Sequence, residues 1–243
     1  MRSDNVTEII SRVDASGAPR IEIIRPAAAT GTRLAVFASS FNPPTLAHTE
    51  LIRRAVADYG LDEVLALAGI ANADKSDYEC PLHERLAMTF EAFGTDPRLA
   101  VGLCSHAFYV DMVEALDKLY PPETDLHFII GFDTFERVLD LEDRYTARYY
   151  QRFGDRQSAF EFLLRRSRLI VAGRGAAGRE AVERLLDSEP AAVRERVLFL
   201  DFPVELASRS ASEVREQIRL GQSVSGLVSR PVERYIEQRG LYR

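Results

Sequence analysis

Thr45 and His48 stand one helical turn apart, directly behind the rigid pair Pro43-Pro44. There an apolar run, 33–38, gives way to Ser39-Ser40-Phe41-Asn42. A hydroxyl and an imidazole on one turn can face the same anion. The unpaired N–H groups and positive dipole end of a helix starting near Leu46 suit phosphate. Two prolines hold the entry and remove donors where the chain turns. Taken alone, these residues read more simply as a Thr N-cap followed by a solvent-facing histidine.

A second segment has the same two-sided character. Ser210, Ser212 and Arg215 open a helix that ends near Gly221 and can present two hydroxyls and a forked guanidinium to a polyphosphate. Ser210 with Glu213 three residues later is also a capping box. Both readings hold at once, because a cap and an anion site draw on the same N–H groups. Asn72–Ser76 follows the apolar run 63–68 and carries Lys75, one of two lysines in an arginine-rich chain. Gly131-Phe132-Asp133 follows the run 126–130; a carboxylate there can accept ribose hydroxyls or cap a helix over 134–140. His83, His106 and His127 show no ligand spacing, so no metal site is expected, and His127 reads as a core histidine.

These residues need a scaffold that gathers strand ends. Short runs rich in Val, Ile, Leu and Phe at 33–38, 63–68, 99–103, 126–130, 168–172 and 197–201 have the character of strands buried on both faces. Between them, Leu51, Ile52, Ala55, Val56 and Tyr59 share a helical face, as do Leu82, Leu86, Phe90 and Phe93, and Met112, Val113, Leu116 and Tyr120. Alternation of strand and helix predicts one α/β, doubly wound, Rossmann-like domain over 31–243 with a parallel sheet of about five to six strands. Residues 1–30 form an N-terminal extension in which Ile21–Ile24 could add an edge strand. The stretch 141–160, with Tyr145, Tyr149, Tyr150, Phe153 and Phe160, reads as an aromatic insertion, a lid or an oligomer contact.

A net charge of −6 argues against a general nucleic-acid binder. No apolar run approaches a membrane span, no signal peptide is apparent, and two cysteines make no disulfide framework, so a cytoplasmic protein is expected.

The string Phe41-Asn42-Pro43-Pro44-Thr45-Leu46-Ala47-His48 resembles the first signature of the HxGH-type nucleotidylyltransferases, in its (H/T)xGH form. It is most similar to the nicotinamide and nicotinate mononucleotide adenylyltransferases, where an FNP or FDP triplet precedes it. Ser210, Ser212 and Arg215 match the family's second signature, ISSTxxR. Lys75 and the run Pro81–Met88 resemble its Lys-then-(H)xRxxM stretch, in which the arginine sits on the helix behind the site. Phe108–Leu116 resembles a segment bordering the acceptor-base pocket, with Tyr109 and Met112 in place of threonines. Arg174 resembles an arginine after the fifth strand, and Leu227–Ile236 resembles the family's C-terminus. Likeness extends over roughly residues 33–243.

The resemblance implies adenylyl transfer from ATP, with Mg²⁺, to the 5′-phosphate of nicotinamide or nicotinate mononucleotide, releasing pyrophosphate. His48, Thr45, Lys75 and Arg215 would be catalytic. Ser40, Phe41, Gly131, Asp133, Ser210 and Ser212 would bind the nucleotide. The partners implied are small molecules, with homo-oligomerisation left open. Ala38, Ala47 and Ala211 stand where the family has glycine or serine. They leave open a non-catalytic nucleotide-binding paralogue, while Tyr109 and Met112 leave open a same-fold enzyme with another acceptor, such as phosphopantetheine or a CTP-dependent alcohol phosphate.

Overall fold

The structure, a computed structural model, describes residues 13, 17–70, 79–142, 144–145, 152–173, 175–207 and 209–243. Lys75, Tyr149, Tyr150 and Arg174 lie outside the described residues.

Among the described residues, seven strands form one sheet: β1 (Ile21–Arg25), β2 (Arg33–Ser39), β3 (Glu63–Gly69), β4 (Leu99–Cys104), β5 (Asp125–Gly131), β6 (Ser167–Gly173) and β7 (Val197–Asp201). Their spatial order is β1-β4-β3-β2-β5-β6-β7. Strands β2 to β7 run parallel and form the doubly wound arrangement expected from the alternating pattern. The sheet is larger than expected because β1 adds an antiparallel strand along β4. The central strands carry apolar residues on consecutive positions, as burial on both faces demands; β3 is buried from Glu63 to Ala68.

One face packs against α3 (Tyr109–Leu116), α4 (Phe132–Leu139), α5 (Arg156–Arg166) and α6 (Gly175–Leu186), with Val36, Leu65, Phe128 and Leu169 at the centre. The other face receives α1 (Leu46–Tyr59) and α2 (Leu82–Phe93) against Ala35, Val64, Val101 and Ile129. Short helices α7 (Ala191–Arg194) and α8 (Val204–Ala207) flank β7. Helices α9 (Ala211–Arg219) and α10 (Arg230–Arg239) close a third apolar cluster with Met88, Val214 and Val232. Helix α1 ends at Gly60, whose left-handed φ of 60° lets its N–H return to Val56.

Strand order reverses between β2 and β5. Their pairing runs only from Arg33↔Asp125 to Val36↔Phe128, whereas β2 stays paired with β3 as far as Ser39↔Ala68. The carboxyl ends of β2 and β5 therefore part, and a crevice opens at the topological switch point, where open α/β sheets hold ligands. No helix among the described residues is long and apolar enough to cross a membrane.

Candidate active site

Beyond Ser39 the chain reverses through Ser40–Pro44 into α1. Phe41 turns this corner with a left-handed φ of 45°, a conformation that costs about 1–3 kcal/mol for a bulky residue. Its ring is fully buried against Phe37, Phe93 and His48, at centroid distances of 5.9, 5.6 and 5.7 Å. Packing of the ring offsets the strain. It also leaves Phe41 only its backbone to offer a ligand.

Two arginines and a tyrosine tie this loop down. Arg85, buried in α2, donates from Nη1 to the Ser40 carbonyl at 2.7 Å and to Gly69 at 3.3 Å. Arg215, from α9, donates to the Asn42 carbonyl at 2.7 Å. Tyr242 donates to the Asn42 amide oxygen at 2.7 Å. The Leu46 N–H, first in α1, is taken by the Leu227 carbonyl at 2.9 Å. The helix start thus offers a ligand fewer free donors than its sequence suggests.

Thr45 and His48 form the N-terminal box of α1. The Thr45 N–H donates to Nδ1 of His48 at 2.8 Å, and the Thr45 hydroxyl lies 3.0 Å from the same nitrogen. An Nδ1 that accepts leaves the neutral ring's proton on Nε2. The neighbour of Nε2 is Ser39 Oγ at 3.5 Å, too long for a strong hydrogen bond. His48 keeps one edge partly open, but Phe37 and Phe41 flank it. Burial pushes its pKa down to about 4. His48 is therefore a neutral donor through Nε2 at ordinary pH. Thr45, only 2% exposed, faces His48 and not the crevice; its geometry suits orienting the imidazole more than touching phosphate.

At α9, Ser210 caps the helix by accepting the Glu213 N–H at 3.1 Å. The Ser212 hydroxyl accepts from Arg215 Nη2 at 3.1 Å. Arg215 Nε lies 3.0 Å from Glu79, which also pairs with Arg219. The two sequence segments thus meet: Arg215 joins the second directly to the loop of the first. Gly131 ends β5 and is the N-cap of α4, which begins at Phe132, earlier than expected. Asp133 is exposed in the first turn. A Cβ built on Gly131 would meet nothing within 4 Å, so the space above it is open.

A cavity of about 300 Å³ adjoins Ser39 and Ser40, walled by Phe108 and Tyr109 of the α3 start and by Arg137, Tyr145, Arg156 and Phe160. That size fits a small-molecule site. Its two charged lining residues, Arg137 and Arg156, are both cationic. Arg156 is shared with the Leu139 carbonyl at 3.0 Å and with Glu189 at 3.5 Å. The Cys104 thiol at the wall is inert, since burial pushes it up to about 12. Asn42 was visible only as part of the Phe41-Asn42-Pro43 triplet, and Glu79, Arg137 and Tyr242 carried no local signal. Arg85 did: it shares the buried face of α2 with Leu82 and Leu86.

A switch-point crevice lined by Ser39 and Ser40, with His48 beside Ser39 and Arg215 fixed to the adjoining loop, has the form of an α/β nucleotide-binding site. Comparison with known proteins narrows the class. No protein-family profile matches the chain. The probable nicotinate-nucleotide adenylyltransferase of Bordetella petrii is 30% identical over 217 residues, covering 87% of this chain and 99% of its own. That of Gemmatimonas aurantiaca is 29% identical over 218 residues, covering 87% and 92%. The nicotinic acid mononucleotide adenylyltransferase of Plasmodium falciparum, solved with NaAD, shares the fold at a TM-score of 0.63 and 17% identity, covering 87% of this chain and 98% of that one. The chain belongs to the nicotinate-nucleotide adenylyltransferase family.

Proposed function

We propose that this protein transfers the adenylyl group of ATP to the 5′-phosphate of nicotinate mononucleotide, a step of NAD synthesis. A phosphate oxygen of the mononucleotide attacks the α-phosphorus of ATP in line. The new P–O bond forms as the α–β bridge breaks and pyrophosphate leaves. Such chemistry depends on positioning and charge neutralisation, with no protein nucleophile needed. The observation that carries the reading is His48, its Nδ1 held as an acceptor by Thr45 and its Nε2 3.5 Å from Ser39 at the cavity wall, in a chain 30% identical over 87% of its length to the Bordetella petrii relative.

His48 donates from Nε2 to an α-phosphate oxygen as charge builds, and Thr45 fixes its tautomer. Ser210, Ser212, Arg215 and Lys75 hold the outer phosphates. Ser40 and the Phe41 backbone line the approach, and Gly131 and Asp133 receive the adenosine. Among the described residues there is no group of three or more His, Cys, Asp or Glu side chains placed to hold a metal. Mg²⁺ would come with ATP as part of the substrate and would supply neutralisation of the phosphate charge. The acceptor base fits the cavity beside Tyr109, where Arg137 and Arg156, the charged residues among the described lining, favour an anionic nicotinate ring over the neutral amide.

The test is pyrophosphate release from MgATP with nicotinate mononucleotide, nicotinamide mononucleotide and phosphopantetheine in parallel. Turnover should be fastest with the first. Turnover with phosphopantetheine alone, or with none of the three, would overturn the reading.

A further inference from the structure

Tyr242, beyond α10, reaches the loop between β2 and α1. Past α10, Gly240 and Tyr242 both take left-handed φ values, 61° and 65°, which fold the last residues back. Tyr242 is buried to 7% exposure and its hydroxyl donates to Asn42 Oδ1 at 2.7 Å, across 200 positions of sequence. Asn42 is itself only 6% exposed. Its two oxygens have one donor each, Arg215 on the carbonyl and Tyr242 on the side chain. Burial holds the phenol pKa far above its ordinary value, so Tyr242 remains a donor throughout the working range.

Tail and loop hang on the same turn of α2. Glu84 anchors the tail, accepting from Tyr235 at 2.7 Å and from Arg239 at 2.6 Å, while the next residue, Arg85, holds the Ser40 carbonyl. Between the ties at Ser40 and Asn42 lies Phe41, the left-handed residue. A strained corner keeps its shape only while its flanks are fixed. Thr45 and His48 follow immediately, and their aim depends on that shape.

We propose that Tyr242 is a positioning residue for adenylyl transfer, acting through Asn42 to hold the loop that aims His48. The proposal rests on the adenylyl-transfer reading above, so its test includes a readout independent of turnover. Tyr242→Phe removes the hydroxyl and keeps the ring. In the full chain it lowers kcat roughly tenfold, the worth of a buried hydrogen bond lost at the transition state. The KM for the mononucleotide, whose cavity Tyr242 does not line, stays within about twofold. Amide hydrogen exchange across 39–48 quickens in the nucleotide-free variant. Arg239→Ala loosens the same tail at Glu84 but keeps the hydroxyl; it lowers Tm and leaves kcat and loop exchange near wild type. Wild-type kcat and loop exchange in Tyr242→Phe would overturn the proposal, as would Arg239→Ala losing as much activity as Tyr242→Phe. If the unaltered protein releases no pyrophosphate while Tyr242→Phe still speeds loop exchange, the tie stands and the proposed reaction fails.

Discussion

The Thr45 backbone N–H and the Thr45 hydroxyl both point at Nδ1 of His48, at 2.8 and 3.0 Å. One residue therefore fixes the tautomer and the aim of the imidazole. A helix cap and a catalytic support are the same pair of contacts.

The first prediction concerns protonation. His48 has its pKa lowered by burial to about 4, against roughly 6.5 in an unfolded chain. Its contribution to stability is then complete above about pH 6.5 and is lost as pH falls through about 4. The imidazole should titrate near pH 4 by NMR, and kcat should show no acid limb near 6.5 from this residue. Titration of His48 at its ordinary value would remove the neutral-donor assignment. Replacing it in His48→Ala should cost ~10²–10³ in kcat, as for loss of one preorganised donor.

Arg215 uses its fork on two different partners, the Asn42 carbonyl and the Ser212 hydroxyl. A lysine keeps the charge but not the planar pair of donors. Arg215→Lys should lower kcat/KM for ATP on the order of tenfold or more, because a hydrogen bond from a charged group is worth about 1.5–3 kcal/mol and each 1.4 kcal/mol or so is a factor of ten. A lysine variant within twofold of wild type would mean that charge alone matters.

Gly131 has ordinary backbone angles, and a methyl group there meets nothing. Gly131→Ala should therefore still fold, with Tm unchanged or slightly lowered, since the reduced freedom of the unfolded chain is offset by alanine's poor fit at an N-cap. Its KM for ATP should rise severalfold as the methyl enters the space proposed for adenosine. An unchanged KM would place the nucleoside elsewhere.

Away from the site, Glu63 is buried and accepts a hydrogen bond from Tyr120 at 2.8 Å. Burial raises its pKa, with the Tyr120 bond opposing. A raised carboxylate pKa favours folding at low pH and loses that advantage as pH rises through it. Tyr120→Phe should cost about 1–3 kcal/mol in urea unfolding at neutral pH, where the carboxylate is charged and has lost its donor. The loss should shrink toward pH 4. An equal loss at both values would point to packing alone.

The scaffold was far more legible in the sequence than the site. Runs such as 126–130 and 168–172 name their strands because burial on both faces leaves an unbroken apolar signature. The helix faces around Leu51 and Leu86 repeat at 3.6 residues for the same reason. The segments carrying His48 and Arg215 could be found as helix starts, since capping chemistry is local. What each side chain does there was hidden. Thr45 turns inward because His48 supplies the partner, and the Leu46 N–H is satisfied by Leu227, far along the chain. Contacts of such long range leave no periodicity to read. Tyr242, beyond the last helix, gave no sign of Asn42.

Strand β1 also bears on the sheet's fate in solution. Its antiparallel pairing covers β4, all six of whose residues are buried. Stripped of that border, β4 would expose a row of unpaired amides and carbonyls beside a continuous apolar surface, a template for edge-to-edge stacking. Pairing with Ile21–Arg25 keeps this apolar strand off the border of the sheet, and shortened versions of the chain that lack the stretch are expected to aggregate more readily.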